Sequence, residues 1–337
     1  MVKLEVSDEV LKNNLLRFFP SLKQYPEKYL SLIFNDTSNV PEHMAYVCPL
    51  CLQNFIYYIP SQLRWSEAFS LDHFPPEDVN GKLAVLVCKP CNNNSGSAYE
   101  SNFSELVEKE CFNKKIPNSK LNTTVTISDV RGWHKGKFSI DESGQYRFGL
   151  TTNQTKNLPE LAEWENSPVG DWEMNATIKH TDEIKFVKSL LKTAYLYCFN
   201  HWGYSFVFSK SAHIIRQVLN GEAIYPINIP SIWLDNKSGG IEIEKINTGV
   251  IFISEPKELQ SIFVNIPVEL KHLNYKCVIP IQIPNPTEEC IEEIQRINRL
   301  FVDEKNVTIK MAPINFPHPG MEDSFSYTWN SLLQQFN

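Results

Sequence analysis

The chain begins with two stretches in which apolar residues recur at every third or fourth position. This spacing places them on one face of a helix. The first stretch contains Val10, Leu11, Leu15, Phe18 and Phe19. The second begins at Pro26, which suits an opening turn, and contains Tyr29, Leu30, Ile33 and Phe34. We expect residues 1–43 to form two short helices that pack against the unit that follows.

The next stretch, residues 44–115, has the pattern of two strands followed by a helix. An apolar run ends at Phe74, a polar turn covers residues 77–82, and a second apolar run leads from Leu83 into Cys88. Residues 97–112 then show helical spacing, after a turn rich in Asn and Ser that suits the start of a helix. This order predicts a β-hairpin followed by a helix.

The middle of the chain, residues 116–220, combines a hairpin with two helices. Apolar residues alternate on both sides of residues 141–144, which is a hairpin pattern. The helices are predicted at 182–199 and 211–219, ended by Gly203 and Gly221. The first has one continuous apolar face, formed by Ile184, Val187, Leu191, Ala194 and Cys198. The aromatic residues around its end fit a packed core better than a base-stacking platform.

The last part, residues 221–337, is predicted to be rich in strands. Its short runs of Ile and Val are separated by Asn, Gly and Pro. The clearest runs are 241–246, 250–253 and 277–283. A closing helix is predicted from about Thr287.

Composition narrows the class of protein. Of the 337 residues 42% are hydrophobic, which excludes a largely disordered chain. The net charge of -7 excludes a uniformly basic protein that coats nucleic acid, so any such contact has to be local. No apolar run approaches the roughly 18 residues that span a bilayer, and the first residues do not resemble a leader. We therefore expect a cytoplasmic protein without a membrane partner.

The eight cysteines divide by spacing. The first four form two Cys-x-x-Cys pairs, Cys48 with Cys51 and Cys88 with Cys91. Each pair lets two thiolates face one ion, and two pairs complete the tetrahedral sulfur shell of zinc. A disulfide framework and unrelated buried thiols are the alternatives, and the first is uncommon in a large chain without a secretory signal. We predict a structural Zn²⁺ at these four cysteines and core thiols at the others, Cys111, Cys198, Cys277 and Cys290.

The cysteine pairs frame a further set of polar residues. Asp72 and His73 lie near the end of the first predicted strand, and Asn92 directly follows Cys91 at the start of the predicted helix. In this combination residues 44–112, about a fifth of the chain, resemble the HNH endonuclease family, also called the ββα-metal nucleases.

The resemblance implies a role for each of these residues. His73 corresponds to the general base of the family, which takes a proton from the water that attacks the scissile phosphorus. Asp72 and Asn92 correspond to ligands of one catalytic divalent cation, Mg²⁺ or Mn²⁺. The residue types agree with these roles, because imidazole titrates near neutral pH and carboxylate and amide oxygens suit Mg²⁺ better than zinc.

Two positions leave alternatives open. The helix offers other oxygen ligands than Asn92, namely Asn93, Asn94 and Glu100. The middle Asn of the family lies several residues before the second cysteine pair, where this chain has Gly81, Lys82 and Leu83. Either Asn80 replaces that residue or the role is absent.

Positive charge gathers in residues 109–137, which contain seven basic and two acidic residues. The end of this stretch, residues 131–137, combines basic and aromatic groups and is expected to form a loop flanked by glycines. A nucleic-acid contact and a solvated loop fit it equally well, and His134 is expected to contact phosphate or water. The candidate contacts are Lys114, Lys115, Arg131, Lys135 and Lys137. Residues 151–337, in contrast, carry 16 basic and 22 acidic residues.

These features together predict an α+β protein. A zinc-stapled ββα-metal (HNH) unit at 44–115 follows the N-terminal helices at 1–43 and precedes a mixed region at 116–220 and a β-rich region at 221–337. The expected function is metal-dependent hydrolysis of phosphodiester bonds in double-stranded DNA. The C-terminal half is expected to hold a protein partner or a second copy, as in an effector of bacterial defence or restriction. The alternative is a zinc-knuckle module that binds nucleic acid and has an inactive nuclease centre.

Overall fold

The computed structural model describes a chain that mixes helices with small sheets. The described residues are 6–25, 27, 44–59, 62–127, 130–150, 173–178, 182–222, 234–235, 249–255, 261–283, 310–313 and 329. Within these ranges the strands form four antiparallel sheets. The predicted α+β class is confirmed.

The N-terminal helix, α1, covers Asp8–Lys23 and confirms the first predicted helix. The hydroxyl of Ser7 accepts a hydrogen bond from the N–H of Val10, which caps the start of the helix. Its buried face consists of Leu11, Leu15, Phe18, Ser21 and Leu22. The second predicted helix lies outside the described residues, apart from Glu27.

A three-stranded sheet that the sequence pattern did not indicate comes next. It consists of β1 (Met44–Val47), β2 (Phe55–Ile59) and β3 (Gln62–Trp65), paired in that order. The predicted hairpin follows as β4 (Phe69–Phe74) and β5 (Leu83–Cys88). In its register Asp72 lies opposite Val85 and His73 lies opposite Ala84.

The helix after the hairpin begins earlier than predicted. Helix α2 covers Lys89–Ser95, a π-helical turn covers Gly96–Glu100, and α3 covers Ser101–Asn113. Pro90 favours this start, because a proline in the first turn of a helix lacks only an N–H that has no partner there. Asn92, expected at the start of the helix, is the fourth residue of α2.

A four-stranded sheet contains the basic stretch. Its strands are β6 (Lys120–Ile127), β7 (Val130–Ile140), β8 (Tyr146–Leu150) and β9 (Met174–Ile178), in the order β8-β7-β6-β9. The pairing of β7 with β8 confirms the predicted hairpin. The expected loop at 131–137 is wrong, since these residues belong to β7.

The next two helices are α4 (Glu183–Val207) and α5 (Lys210–Asn220). The carboxylate of Asp182 caps α4, and Gly221, with φ of 82°, ends α5 as predicted. Gly203, with φ of 56° and ψ of -141°, is not helical and ends the first helical segment of α4, as predicted. One expectation for α4 is wrong. The apolar face does not extend to Ile184, which is 72% exposed, and residues 189–200 are buried on all sides.

The last sheet contains β10 (Leu234–Asp235), β11 (Val250–Glu255), β12 (Ser261–Leu270), β13 (Tyr275–Ile283) and β14 (Lys310–Pro313). The strand order is β10-β13-β12-β11-β14. Strands β11 and β13 confirm two of the predicted runs, whereas the run at 241–246 and the closing helix lie outside the described residues.

One hydrophobic core connects α1, the hairpin, α4 and the last sheet. It includes Leu15, Val85, Leu191 and Ile266. The aromatic residues of α4 belong to it, as predicted, and the ring of Phe199 stacks on that of Phe18 at 4.4 Å. The predicted boundaries at residues 115 and 220 thus separate segments that share a core. No helix in the described ranges is both long and apolar enough to cross a bilayer.

Candidate metal centre and adjoining polar cluster

Four cysteines come together where the first sheet meets the hairpin. Cys48 follows β1 and Cys51 lies in the next turn, while Cys88 ends β5 and Cys91 lies in α2. Their sulfur atoms lie within 4.8 Å of one another, and the Sγ atoms of Cys51 and Cys88 are 3.7 Å apart. Tetrahedral Zn–S bonds of about 2.3 Å would place the sulfurs about 3.8 Å apart. The four sulfurs can therefore hold a metal ion such as zinc.

The groups around two of the four sulfurs, those of Cys51 and Cys88, favour thiolates, whereas the pKa values of Cys48 and Cys91 are raised. The Nδ2 of Asn54 donates to the Sγ of Cys88 at 3.3 Å, and the N–H of Gln53 donates to the Sγ of Cys51 at 3.4 Å. Hydrogen bonds from neighbouring thiols, that of Cys48 first, lower the pKa of Cys51 and lower the pKa of Cys88 to about 7. Burial raises the pKa of Cys48. Since a thiolate is the form that binds metal, two of the four ligands are already favoured in that form.

Helix α4 supports the backbone on both sides of Cys48. The hydroxyl of Tyr195 donates to the carbonyl oxygen of Pro49 at 2.6 Å. The hydroxyl of Tyr204 accepts from the N–H of Val47 at 2.8 Å and donates to the carbonyl oxygen of the same residue. These buried tyrosines fix the cysteine turn to the centre of the fold.

The remaining described cysteines are not part of this cluster. Cys111, Cys198 and Cys277 are buried cysteines outside this cluster, as predicted, and Cys290 lies outside the described residues. Among the residues that the structure describes, the four paired cysteines are the one group of three or more His, Cys, Asp or Glu side chains close enough to hold an ion together.

Asp72 lies beside the metal centre and is 4% exposed. Its Oδ2 is 2.6 Å from the Nζ of Lys192 on α4, and the same Nζ is 2.5 Å from Oε1 of Glu100 and 2.7 Å from Oγ of Ser95. Asp72, Ser95, Glu100 and Lys192 are called the polar cluster below. Burial raises the pKa of both carboxyl groups, and the Lys192 ammonium opposes this effect. Oδ2 of Asp72 is buried, and the Lys192 ammonium is its described partner.

Asn92 reaches the strand that carries Asp72. Its Nδ2 donates to Oγ of Ser70 at 2.8 Å and to the carbonyl oxygen of Leu71 at 3.2 Å. A carbonyl oxygen only accepts, so these contacts fix the amide nitrogen toward the strand and turn Oδ1 away from it. Because residues 70 and 72 project from the same face of a strand, Asn92 and Asp72 share that face.

His73 projects from the other face of β4. Consecutive residues in a regular strand alternate between faces, and the register with β5 is regular here. The imidazole is half-buried. The structure thus places Asp72 and Asn92 together and His73 next to them, on the opposite side of the strand.

The alternative ligands differ in their surroundings. Asn93 and Asn94 are exposed on α2. Glu100 has Oε1 on Lys192, and its Oε2 accepts from Oγ of Ser95 at 3.4 Å. Of the four candidates on this helical segment, Asn92 is the one with contacts to β4.

Asn80 lies in the loop between β4 and β5 and contacts the last sheet. It follows a short 3-10 turn, has a left-handed backbone with φ of 66°, and its Nδ2 donates to Oε2 of Glu269 on β12 at 2.5 Å. The residue therefore connects the hairpin loop to the last sheet.

The predicted nucleic-acid contacts have different environments. Lys115 and Lys135 are exposed, Lys137 is half-buried, and Lys114 is 3.8 Å from Glu110. The side chain of Arg131 lies outside the described residues. The expected surface role of His134 is wrong, because its ring is 1% exposed and has no hydrogen-bond partner in the described part of the chain.

Sequence reasoning missed two members of the polar cluster, Ser95 and Lys192. A signal for the lysine was present, since it stands inside the apolar run of α4 and a fully buried lysine needs an acidic partner. The residues near Lys192 in the sequence did not indicate that its partners are Asp72 and Glu100.

No protein-family model matches this chain, and no curated protein or solved structure matches it. The resemblance to the HNH nucleases therefore stays a prediction from the sequence.

Proposed function

We propose that this protein is a metal-dependent endonuclease of the HNH type that hydrolyses phosphodiester bonds in DNA. The observation that carries the proposal is that Asp72 and Asn92 share one face of a hairpin whose second strand ends in the four-cysteine cluster. The cysteines would hold a structural Zn²⁺, and the two oxygen ligands would hold a catalytic Mg²⁺ or Mn²⁺.

The donor set suits a hard divalent cation. Asp72 supplies a buried carboxylate, and Asn92 supplies an amide oxygen that points away from the strand. When bound, such a cation neutralises charge on the phosphate. The donors are oxygens, in contrast to the sulfurs next to them, so the two kinds of site would select different ions.

His73 would take a proton from the attacking water at a ring nitrogen. Because its side chain and that of Asp72 diverge, the proposal requires the phosphodiester to lie across the end of β4, where it can meet both. Lys115 and Lys135 are exposed cations that could hold the DNA backbone.

A second candidate function is nucleic-acid binding without cleavage. One observation favours it: the ammonium of Lys192 already lies 2.6 Å from Asp72, where it offsets charge that a cation would otherwise neutralise. A protein of this kind would bind zinc and DNA but would not bind a catalytic cation.

Cleavage of several substrates side by side separates the two functions. Zinc-loaded protein is incubated with supercoiled plasmid, modified phage DNA and RNA in Mg²⁺, Mn²⁺ or Ni²⁺, and the ends of any products are mapped. The nuclease proposal predicts metal-dependent cleavage of DNA with 5′ phosphate and 3′ hydroxyl ends. DNA binding without cleavage of any substrate in all three metals would favour the binding module.

A further inference from the structure

Lys192 joins three elements of the proposed site at one buried point. It is 1% exposed on α4, and its ammonium meets Asp72 on β4, Ser95 on α2 and Glu100 in the π-helical turn. A lysine is almost never this buried unless it is paired, because removing its charge from water is costly. A position that only filled the core would be occupied by an apolar side chain.

The charges of the cluster do not balance. Two carboxylates face one ammonium, so one negative charge is left over when all three groups are ionised. Asn92 lies on the same face of β4 as the carboxylate of Asp72. The excess charge is therefore next to the oxygen ligands that we assign to the catalytic cation.

The contacts also assign different roles to the two carboxylates. Glu100 has Oε1 on Lys192, and its Oε2 lies 3.4 Å from the Ser95 hydroxyl, which donates at 2.9 Å to the carbonyl oxygen of Asn92. The described contact of Asp72 with Lys192 is made by Oδ2. Oδ1 is then the oxygen that would face a metal.

We propose, on the basis of the nuclease function proposed above, that Lys192 is a positioning residue for the catalytic cation. It holds Asp72 through Oδ2, so that Oδ1 is oriented for the metal, and it withdraws Glu100 from ligation. The site then offers the metal one carboxylate and the amide of Asn92. Groups that orient a metal ligand in this way usually contribute roughly 10- to 100-fold to metal affinity.

The test measures binding of Mn²⁺ alone to zinc-loaded, full-length protein by electron paramagnetic resonance. The main variant combines Lys192→Met with Glu100→Gln, because this pair leaves the cluster with the same net charge as the wild type. The matched control is Lys188→Met, which removes a lysine one turn earlier on the same helix. We expect one Mn²⁺ per wild-type chain, a loss of affinity of about tenfold or more in the double variant, and no change in the control.

The measured Mn²⁺ affinity of the double variant shows whether Lys192 positions the cation, has no effect on it, or takes its place. Unchanged affinity in the double variant overturns the proposal, and tighter binding does so as well, since Lys192 would then have taken the place of the cation. If the wild type cleaves DNA and binds Mn²⁺ while the double variant binds it equally well, only the role of Lys192 fails. If the wild type neither binds Mn²⁺ nor cleaves DNA, the nuclease function fails too.

A milder variant covers the case in which the double variant unfolds. Ser95→Ala removes one oxygen from Lys192 and one donor from Glu100, and leaves both charged residues in place. It also removes the hydrogen bond from this hydroxyl to the carbonyl oxygen of Asn92, so Ser97→Ala, which removes the same kind of bond to the carbonyl oxygen of Asn93, is measured as its control and should keep wild-type affinity. Lower Mn²⁺ affinity in Ser95→Ala supports positioning, and wild-type affinity contradicts it.

Discussion

Gly81 lies where the end of the loop between β4 and β5 packs against the backbone of its start, at Pro75. A Cβ atom at this position would lie 1.6 Å from the carbonyl oxygen of Pro75, which is backbone and cannot rotate away. We therefore expect Gly81→Ala to lower the free energy of unfolding by about 2 kcal/mol or more, because the loop has to shift. Denaturant titration followed by tryptophan fluorescence measures this change.

Gly149→Ala is the matched control for this substitution. Gly149 is exposed on β8, and a Cβ built there meets no atom within 4 Å. Its free energy of unfolding should stay near that of the wild type. Equal stability of the two variants would contradict the close contact at Gly81.

Single residues differ in how well the sequence identified them. The four cysteines could be predicted as one cluster because each pair is local and its spacing is specific. The ion pair of Asp72 with Lys192 could not be predicted, because 120 positions separate the two residues and a lysine in a helix is usually solvated. His134 was misjudged because the sequence does not show which side of β7 is covered.

The junction of α1 and α4 contains a histidine whose proton affinity is altered by the fold. Arg17 of α1 donates to the carbonyl oxygen of Asn200 at 2.9 Å, next to His201. Burial first, and then the charge of Arg17, lower the pKa of His201 from 6.5 to about 4. Between these two values the unfolded chain binds a proton that the folded protein does not.

This difference predicts how stability depends on pH. The contribution of His201 is fully present above about pH 6.5 and is lost as the pH falls toward 4, with a maximum near 3 kcal/mol, or roughly 1.4 kcal/mol per pH unit. In the His201→Gln variant the free energy of unfolding should fall less steeply between pH 6.5 and 4. His213→Gln, at an exposed position on α5, is the control. A slope in His201→Gln equal to that of the wild type would contradict this assignment.

Whole elements were predicted best where the chain marks their ends. The hairpin β4–β5 and helix α5 were confirmed because a polar turn and Gly221 bound them. Strands β1 to β3 were not predicted because each has only four or five residues, and the turn with Cys48 and Cys51 interrupts the apolar pattern between β1 and β2. The break at Gly203 was also predicted correctly, because a glycine adopts the positive φ that divides α4, while Tyr204 and Phe206 after it pack in the core.

At the scale of the molecule, the four-cysteine cluster ties the first sheet to the hairpin and to α2. A metal bound there would stabilise the fold directly, because the unfolded chain has no preformed site. We expect Cys88→Ser to lose one equivalent of zinc and to melt at a clearly lower temperature. Atomic absorption and thermal unfolding measure the two effects.

Cys111→Ser is the matched control for zinc binding. It changes a buried thiol outside the cluster, so packing is altered but the zinc equivalent should remain. If Cys88→Ser kept its zinc, or if both variants lost it, the four-cysteine site would be contradicted.

The charge of the whole molecule fits a local contact with nucleic acid. The net charge is -7, and the exposed lysines at 115 and 135 lie in the basic stretch, outside the acidic C-terminal half. Under the proposed nuclease function, the sequence predicts this stretch as the place where DNA would have to bind. It did not predict that the last sheet shares a core with α4 and reaches the hairpin loop through Glu269, since these contacts join segments far apart in the chain.

The most direct test of the proposed nuclease is the rate of plasmid relaxation by His73→Ala in Mg²⁺. His213→Ala, at an exposed histidine on α5, is measured beside it. With His73 as the general base, His73→Ala should lose about 100-fold or more in rate while it keeps its zinc, its melting temperature and its Mn²⁺ binding, and His213→Ala should cleave like the wild type. Cleavage by His73→Ala at the wild-type rate would contradict the proposed mechanism.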